Sequence, residues 1–414
     1  MLRELMFPRT CGASGAPLTS QQYNTLMTDE LLSYRSEFPI LERTTYMISN
    51  SLGAMPRAVY DAMKGYADTW ATRGVRAWEE RWWMLAAEVG DEIGALMNAP
   101  RGSVSTHQNV TTCQAVVASC FDFSGKRNKV VYTDLNFPSV MYFWEAQQAN
   151  GARVHMVKTD DGITVPTGRL LDAIDEQTLL VPISHVIFRS AFINDAKAII
   201  EKAHKVGAYV VLDTFQSLGT VPVDVQALNT DFACGGVLKW LCGGPGVGYL
   251  YVRPDLGKKL QPRFTGWTAH QDPFAFEIGP TRYTDPPYRF MNGTPHVPSL
   301  EAARPGLKII AEAGVDRIRE KSKRQTARLI ELVEKQGLRV NTPHDPEKRG
   351  GTVSIDLPDA PEVCRELLKR EILVDWRPKA GIRMSPHFYN TDQELETAIS
   401  AVEEILKERA VAAG

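Results

Sequence analysis

Along the chain, apolar residues recur first at three-to-four spacing and then in short continuous runs. Residues 56–74 (PRAVYDAMKGYADTWATRG) and 77–99 (AWEERWWMLAAEVGDEIGALMNA) have the helical period, which predicts two amphipathic helices. Trp78, Trp82 and Trp83 fall on or near one face of the second; such a stripe is more often packing than chemistry, although it can wall an aromatic site. Beyond residue 127 the pattern alternates. NKVVYTD, ARVHMVK, TLLVPISHV and AYVVLDT read as strands, and TGRLLDAIDE and NDAKAIIEKAHKVG as helices. That alternation predicts a mainly parallel sheet flanked by helices. After one more strand, GVGYLYVR, residues 261–298 are rich in Pro, Gly and aromatics with no helical period, a long excursion of the kind that usually serves function or an interface. Two helices follow, the second long and charged, and from about Leu338 a small α/β unit closes on an amphipathic helix. The expected architecture is α/β: a large domain over 61–299, and a small C-terminal α/β domain from 300–414 to which 31–60 contribute. A flexible leader is expected over 1–30.

Composition narrows the function more than the fold. A chain of 414 residues suits one large domain and one smaller. A net charge of −2 offers no broad attraction for nucleic acid or an anionic membrane. No apolar run is long enough to span a bilayer, and the N-terminus lacks the apolar core of a secretory signal. A cytoplasmic location is expected. The six cysteines are scattered without a tight CxxC pair and read as reduced, mostly buried thiols. No metal is expected.

The chemistry centres on residues 208–248. A β-branched run stops on Asp213, a second strand-like run follows, and a glycine-rich turn receives the single lysine Lys239. An acid at a buried strand end with a lysine placed near it can hold a pyridinium aldehyde cofactor, the lysine as Schiff base and the acid on the ring nitrogen. A strand-end Asp can also be a helix N-cap. In parallel sheets ligands bind beyond the carboxyl ends of the strands, and Phe137, Ser184 and Asp213 lie at or just past three of them. Thr111 and Thr112 stand ahead of the helix-like run at 113–121, where free N–H groups and the helix dipole favour a phosphate. A simple N-cap explains the pair equally well.

Taken in order, YMISNSLG, TDLNFPS, SHVIFRSAFIND, LDTFQSLGTVPVD, DFACGGVLKWLCGGPGVGYLYV, FTGWTAH, NGTP and IRMSPHFYNT resemble fold-type I pyridoxal-phosphate enzymes of the class V aminotransferase group, nearest to the kynureninase-like branch. The resemblance implies that Lys239 carries pyridoxal 5'-phosphate and shuttles the proton, and that Asp213 pairs with the ring nitrogen. It implies Phe137 stacking on the ring, Val110, Thr111 and Thr112 at the phosphate, and Ser184 and Gln216 as further cofactor contacts. Thr294 would reach the phosphate from the other subunit, with Trp267 beside it, so a homodimer completes the site. Arg383 would grip the substrate carboxylate, which suits a bidentate guanidinium, and Asn50 is a second candidate substrate contact. The implied reaction works on an amino acid through an external aldimine and a carbanion at Cα, with kynureninase-like cleavage of a C–C or Cβ–S bond in the side chain.

Departures bear on the substrate. Leu238 stands where kynureninases have a tyrosine, Val140 replaces an acid, Gly293 an asparagine and Val75 a ring-contacting histidine. These changes point away from kynurenine. A persulfide-forming desulfurase is disfavoured, because 375–381 contains no cysteine and Cys364 lies in a helical run. Transamination or epimerisation through the same residues, and a non-catalytic cofactor-binding homologue, are the alternatives.

Overall fold

In the computed structural model, which describes residues 29–413, the alternating apolar runs assemble into one large sheet. The strands in chain order begin with β1 (Thr45–Tyr46), β2 (Val104–His107), β3 (Lys129–Thr133) and β4 (Arg153–Val157). They continue with β5 (Thr178–Ser184), β6 (Tyr209–Asp213), β7 (Phe232–Gly236) and β8 (Gly248–Val252). The seven-stranded sheet has the order β2-β8-β7-β6-β5-β3-β4. All pairings among β3 to β7 are parallel, and β8 runs antiparallel to β7 and β2. Strand β5 is buried along its whole length and β6 at all but its first residue, the continuous burial of strands covered on both faces. Register sets Ser184 beside Asp213, and Asp213 beside Cys234. The sheet therefore presents its chemistry at one edge.

The C-terminal part has its own sheet of β9 (Arg339–Val340), β10 (Val353–Asp356), β12 (Asp375–Arg377) and β13 (Gly381–Met384), in the antiparallel order β12-β13-β10-β9. Between them, β11 (Ile372–Leu373) pairs in parallel with β1. Helices Val315–Lys335, Ala360–Lys369 and Asp392–Ala413 pack on this sheet around a core that takes in Met47. Helix Val297–Ala313 shares a different core with Trp83–Ala95 and the strands of the large sheet. The expected leader lies outside the described residues except for Asp29 and Glu30, and Asp29 pairs with Lys321 at 2.7 Å.

Two local expectations change. Helix Val110–Ser119 begins three residues before the run at 113, with Asn109 as N-cap. The tryptophan stripe splits. Residues Trp78–Trp82 form a π turn, whose wider winding rotates the helix beyond it. Trp82 is buried against Trp78, whereas Trp83 packs on Trp267, Phe274 and Tyr288. The five described cysteines are all free.

Candidate active site

A cavity of about 440 Å³ opens beyond the carboxyl ends of the central strands, and Lys239, Asp213, Ser184, Phe137, Val110, Thr111, Gln216, Asn50 and Arg383 all line it. That volume suits a small cofactor or substrate. Lys239 sits in the turn after β7. Its Nζ lies 4.2 Å from the Phe215 ring centroid and 5.5 Å from that of Phe137. Gly236 makes room for the nearer ring, since a Cβ there would meet Phe215 at 2.6 Å. Burial pulls the Lys239 ammonium down to about 8, against the opposing pull of Asp213 and with help from the Arg383 charge. Burial likewise pushes Asp213 up to about 6, against the Phe215 N–H that donates to it at 3.0 Å and against Lys239. Desolvation outweighs attraction at both members of the pair.

The lysine turn is fixed from three directions. The Gly53 N–H donates to the Leu238 carbonyl at 2.8 Å, and a Cβ on Gly53 would lie 2.2 Å from the Lys239 carbonyl oxygen. Gln216 accepts from the Trp240 indole N–H and donates to the Asn50 carbonyl, both at 3.0 Å. Nε2 of His387, from the C-terminal part, donates to the Trp240 carbonyl at 2.9 Å. Both polar atoms of the buried Asn50 side-chain amide lack a partner. A buried unpaired amide is costly, and this one belongs to a residue that lines the cavity.

At the start of helix Val110–Ser119, the first-turn N–H groups have no helical acceptor. Val110 and Thr111 line the cavity, whereas Thr112 points its hydroxyl and N–H at Asn109 Oδ1. The two neighbouring threonines therefore differ: Thr111 faces the cavity, and Thr112 is tied into the N-cap. Arg383, nearly fully buried, donates to Asp375 and to the Phe188 carbonyl.

Besides Thr112, two expected residues stand apart from the main cavity in this chain. Trp267 is 40% exposed within an aromatic group with Trp83 and Phe274. Thr294 lines a second cavity of about 270 Å³, next to the first and sharing Gln108 and Gly246 with it. Asn109, Phe215, Phe188 and Arg377 also line the main cavity and were not singled out from the sequence. Of these, only Asn109 had a local signal, as a capping residue type just ahead of a helix.

The family profile described as aminotransferase class V matches residues 45–397. The chain belongs to the aminotransferase class V family. It is 29% identical to a kynureninase of Bacillus thuringiensis subsp. konkukian, over 92% of both chains. An uncharacterised aminotransferase, YcbU, of Bacillus subtilis is 31% identical, over 89% of this chain and 96% of its own. A solved cysteine desulfurase from Thermococcus onnurineus NA1 superposes with a TM-score of 0.81 at 23% identity, covering 91% of this chain and 98% of that one. A cystine C–S lyase, C-DES, does so at 0.79 and 18%, over 88% and 98%. These superpositions establish the shared fold. As a class V member the chain is a pyridoxal-phosphate-dependent enzyme. The lysine and acid, the open helix start and the unpaired Asn50 amide all fit that cofactor.

Proposed function

We propose that this class V enzyme holds pyridoxal phosphate through Lys239 and acts on an α-amino acid, breaking a bond in its side chain. The observation that carries the reading is Lys239 itself: an amine between two aromatic rings, held down to about 8 by burial, with Asp213 at a neighbouring strand end. The bound cofactor supplies an electron-withdrawing ring that stabilises negative charge at the substrate α-carbon. Asp213, whose Oδ1 accepts from the Phe215 N–H, would hold the proton on the ring nitrogen. The Val110 and Thr111 N–H groups receive the phosphate. Phe137 and Phe215 flank the lysine amine. Lys239 Nζ would move the proton at Cα; a pKa lowered to about 8 keeps part of it neutral for that task. Arg383 anchors the carboxylate, and Gln216 acts mainly by holding Trp240 and the Asn50 loop.

The residues that differ from kynureninase favour another substrate. Leu238 makes the cavity wall apolar where a tyrosine hydroxyl is expected. Val140 is a buried residue of the helix after Phe137, and Val75 is exposed on the surface of this chain. A homodimer completes the reading. Helix Val59–Arg73 has no buried residue, and Trp70, Trp267, Phe274, Phe276 and Ile278 are exposed apolar groups, an unusual concentration for a monomer surface. Thr294 and Trp267 then serve the partner's site.

The test is a panel of amino acids incubated with the loaded enzyme and assayed for products. Cleavage within the side chain yields alanine, or pyruvate with ammonia. A keto acid formed with transfer of the amine to the cofactor, or an inverted amino acid, replaces the reading with transamination or epimerisation. Rapid release of anthranilate from kynurenine overturns the exclusion of that substrate.

A further inference from the structure

Three charged side chains are linked at the C-terminal wall of the cavity. Arg383 donates through Nε to Asp375 Oδ1 at 2.7 Å and through Nη2 to Asp375 Oδ2, while its Nη1 donates to the Phe188 carbonyl at 2.8 Å. The same Asp375 carboxylate meets Arg377 Nη2 at 3.0 Å. Both arginines line the cavity; Arg383 is buried, and the Arg377 side chain is 45% exposed. The pairing follows from strand register, because Asp375 of β12 lies directly across from Arg383 of β13.

A guanidinium has five N–H donors. With Nε, one Nη2 and one Nη1 hydrogen engaged, Arg383 keeps one N–H on each terminal nitrogen. One free N–H on each terminal nitrogen is enough to hold a single carboxylate. Two cations share one anion here, so the wall carries one uncompensated positive charge. The other charged residues of the lining, Lys239 and Asp213, are committed to the cofactor.

We propose that Asp375 is a positioning and specificity-determining residue. It holds the Arg383 fork in place and trims the wall to the charge of one carboxylate, so the substrate is an amino acid with no acid group in its side chain. This rests on the reading of Arg383 as the carboxylate anchor. The substrate carboxylate balances the remaining charge, and a second acid would enter without a cation to meet it. Without Asp375 the wall would carry two free cations and accept a diacid.

The experiment measures dissociation constants of L-norvaline and L-glutamate, matched in length, on the cofactor-loaded protein by calorimetry and by perturbation of the cofactor absorbance. Wild type binds norvaline about tenfold or more tighter than glutamate, and Asp375→Asn shifts the ratio toward glutamate by about tenfold. An unchanged ratio in folded Asp375→Asn, or a wild type that prefers glutamate, overturns the proposal. If Asp375→Asn does not fold, the half-exposed Arg377→Gln decides. It weakens both ligands, glutamate more, and unchanged affinities overturn the proposal. Failure of the underlying reading looks different: no cofactor absorbance at all, or Arg383→Lys binding norvaline as wild type does.

Discussion

The two ends of the cavity use charge in opposite ways. At the sheet end, Asp213 and Lys239 stand in apolar surroundings, and burial pushes each toward its neutral form. At the C-terminal end, Arg383, Asp375 and Arg377 are joined by short contacts and backbone carbonyls. In the proposed function the first pair must gain or lose a proton, and poised groups suit that task. The second set would only recognise charge, and pairing in advance lowers the ordering cost of binding.

Substitutions at either end of the cavity separate the two uses of charge. The largest effect is expected from Asp213→Asn, which keeps an acceptor for the Phe215 N–H but removes the acid. Turnover should fall about a hundredfold or more in a folded protein, and steady-state kinetics with thermal unfolding as control would check it. A near wild-type rate would remove Asp213 from the chemistry. Next comes Gly53→Ala. The added Cβ meets the Lys239 carbonyl, and forcing atoms into so close a contact costs about 3 kcal/mol, read as a lower unfolding midpoint together with slower turnover. Gln216→Ala should cost less, about 1–2 kcal/mol, because it leaves the buried Trp240 indole without an acceptor.

The smallest expected effect is a shift in titration. In cofactor-free protein, labelling of Lys239 by an amine reagent should reach half its maximum near pH 8, far below the 10.5 of an ordinary lysine. Removing Asp213 removes a charge that raises this value, so Asp213→Asn moves the midpoint lower still. The same displacement has a stability consequence. Between about 8 and 10.5 the unfolded chain binds more protons at this lysine than the folded one, so the penalty of burying it is full below pH 8 and is relieved as pH rises through that window. Thermal unfolding of cofactor-free wild type and Lys239→Met across that range would detect it.

The sheet end was legible because it is nearly contiguous. A strand, a turn and a second strand within 208–248 carry Asp213 and Lys239 to one edge, and apolar continuity reveals such strands. The helix start behind the proposed phosphate contacts was legible in type but displaced, because Asn109 starts the helix earlier than hydrophobic periodicity alone suggests. The partners of Lys239 and Arg383 were not legible. Phe215 reaches the lysine only because Gly236 lacks a side chain, and Asp375 meets Arg383 only through the pairing of β12 with β13. Trp83 left the expected stripe because of a π turn that periodicity does not register. Thr294 and Trp267 could not be joined to the cavity by any local pattern, since their proposed place is the site of a second copy.

The central claim is that Lys239 carries the cofactor, and one measurement addresses it directly. Purified protein is reduced with borohydride, digested, and the peptides are weighed. The cofactor mass should appear on the peptide containing Lys239, with loss of the visible absorbance, and Lys239→Ala should carry none. Cofactor mass on another lysine, or a reducible adduct that persists in Lys239→Ala, would contradict the account.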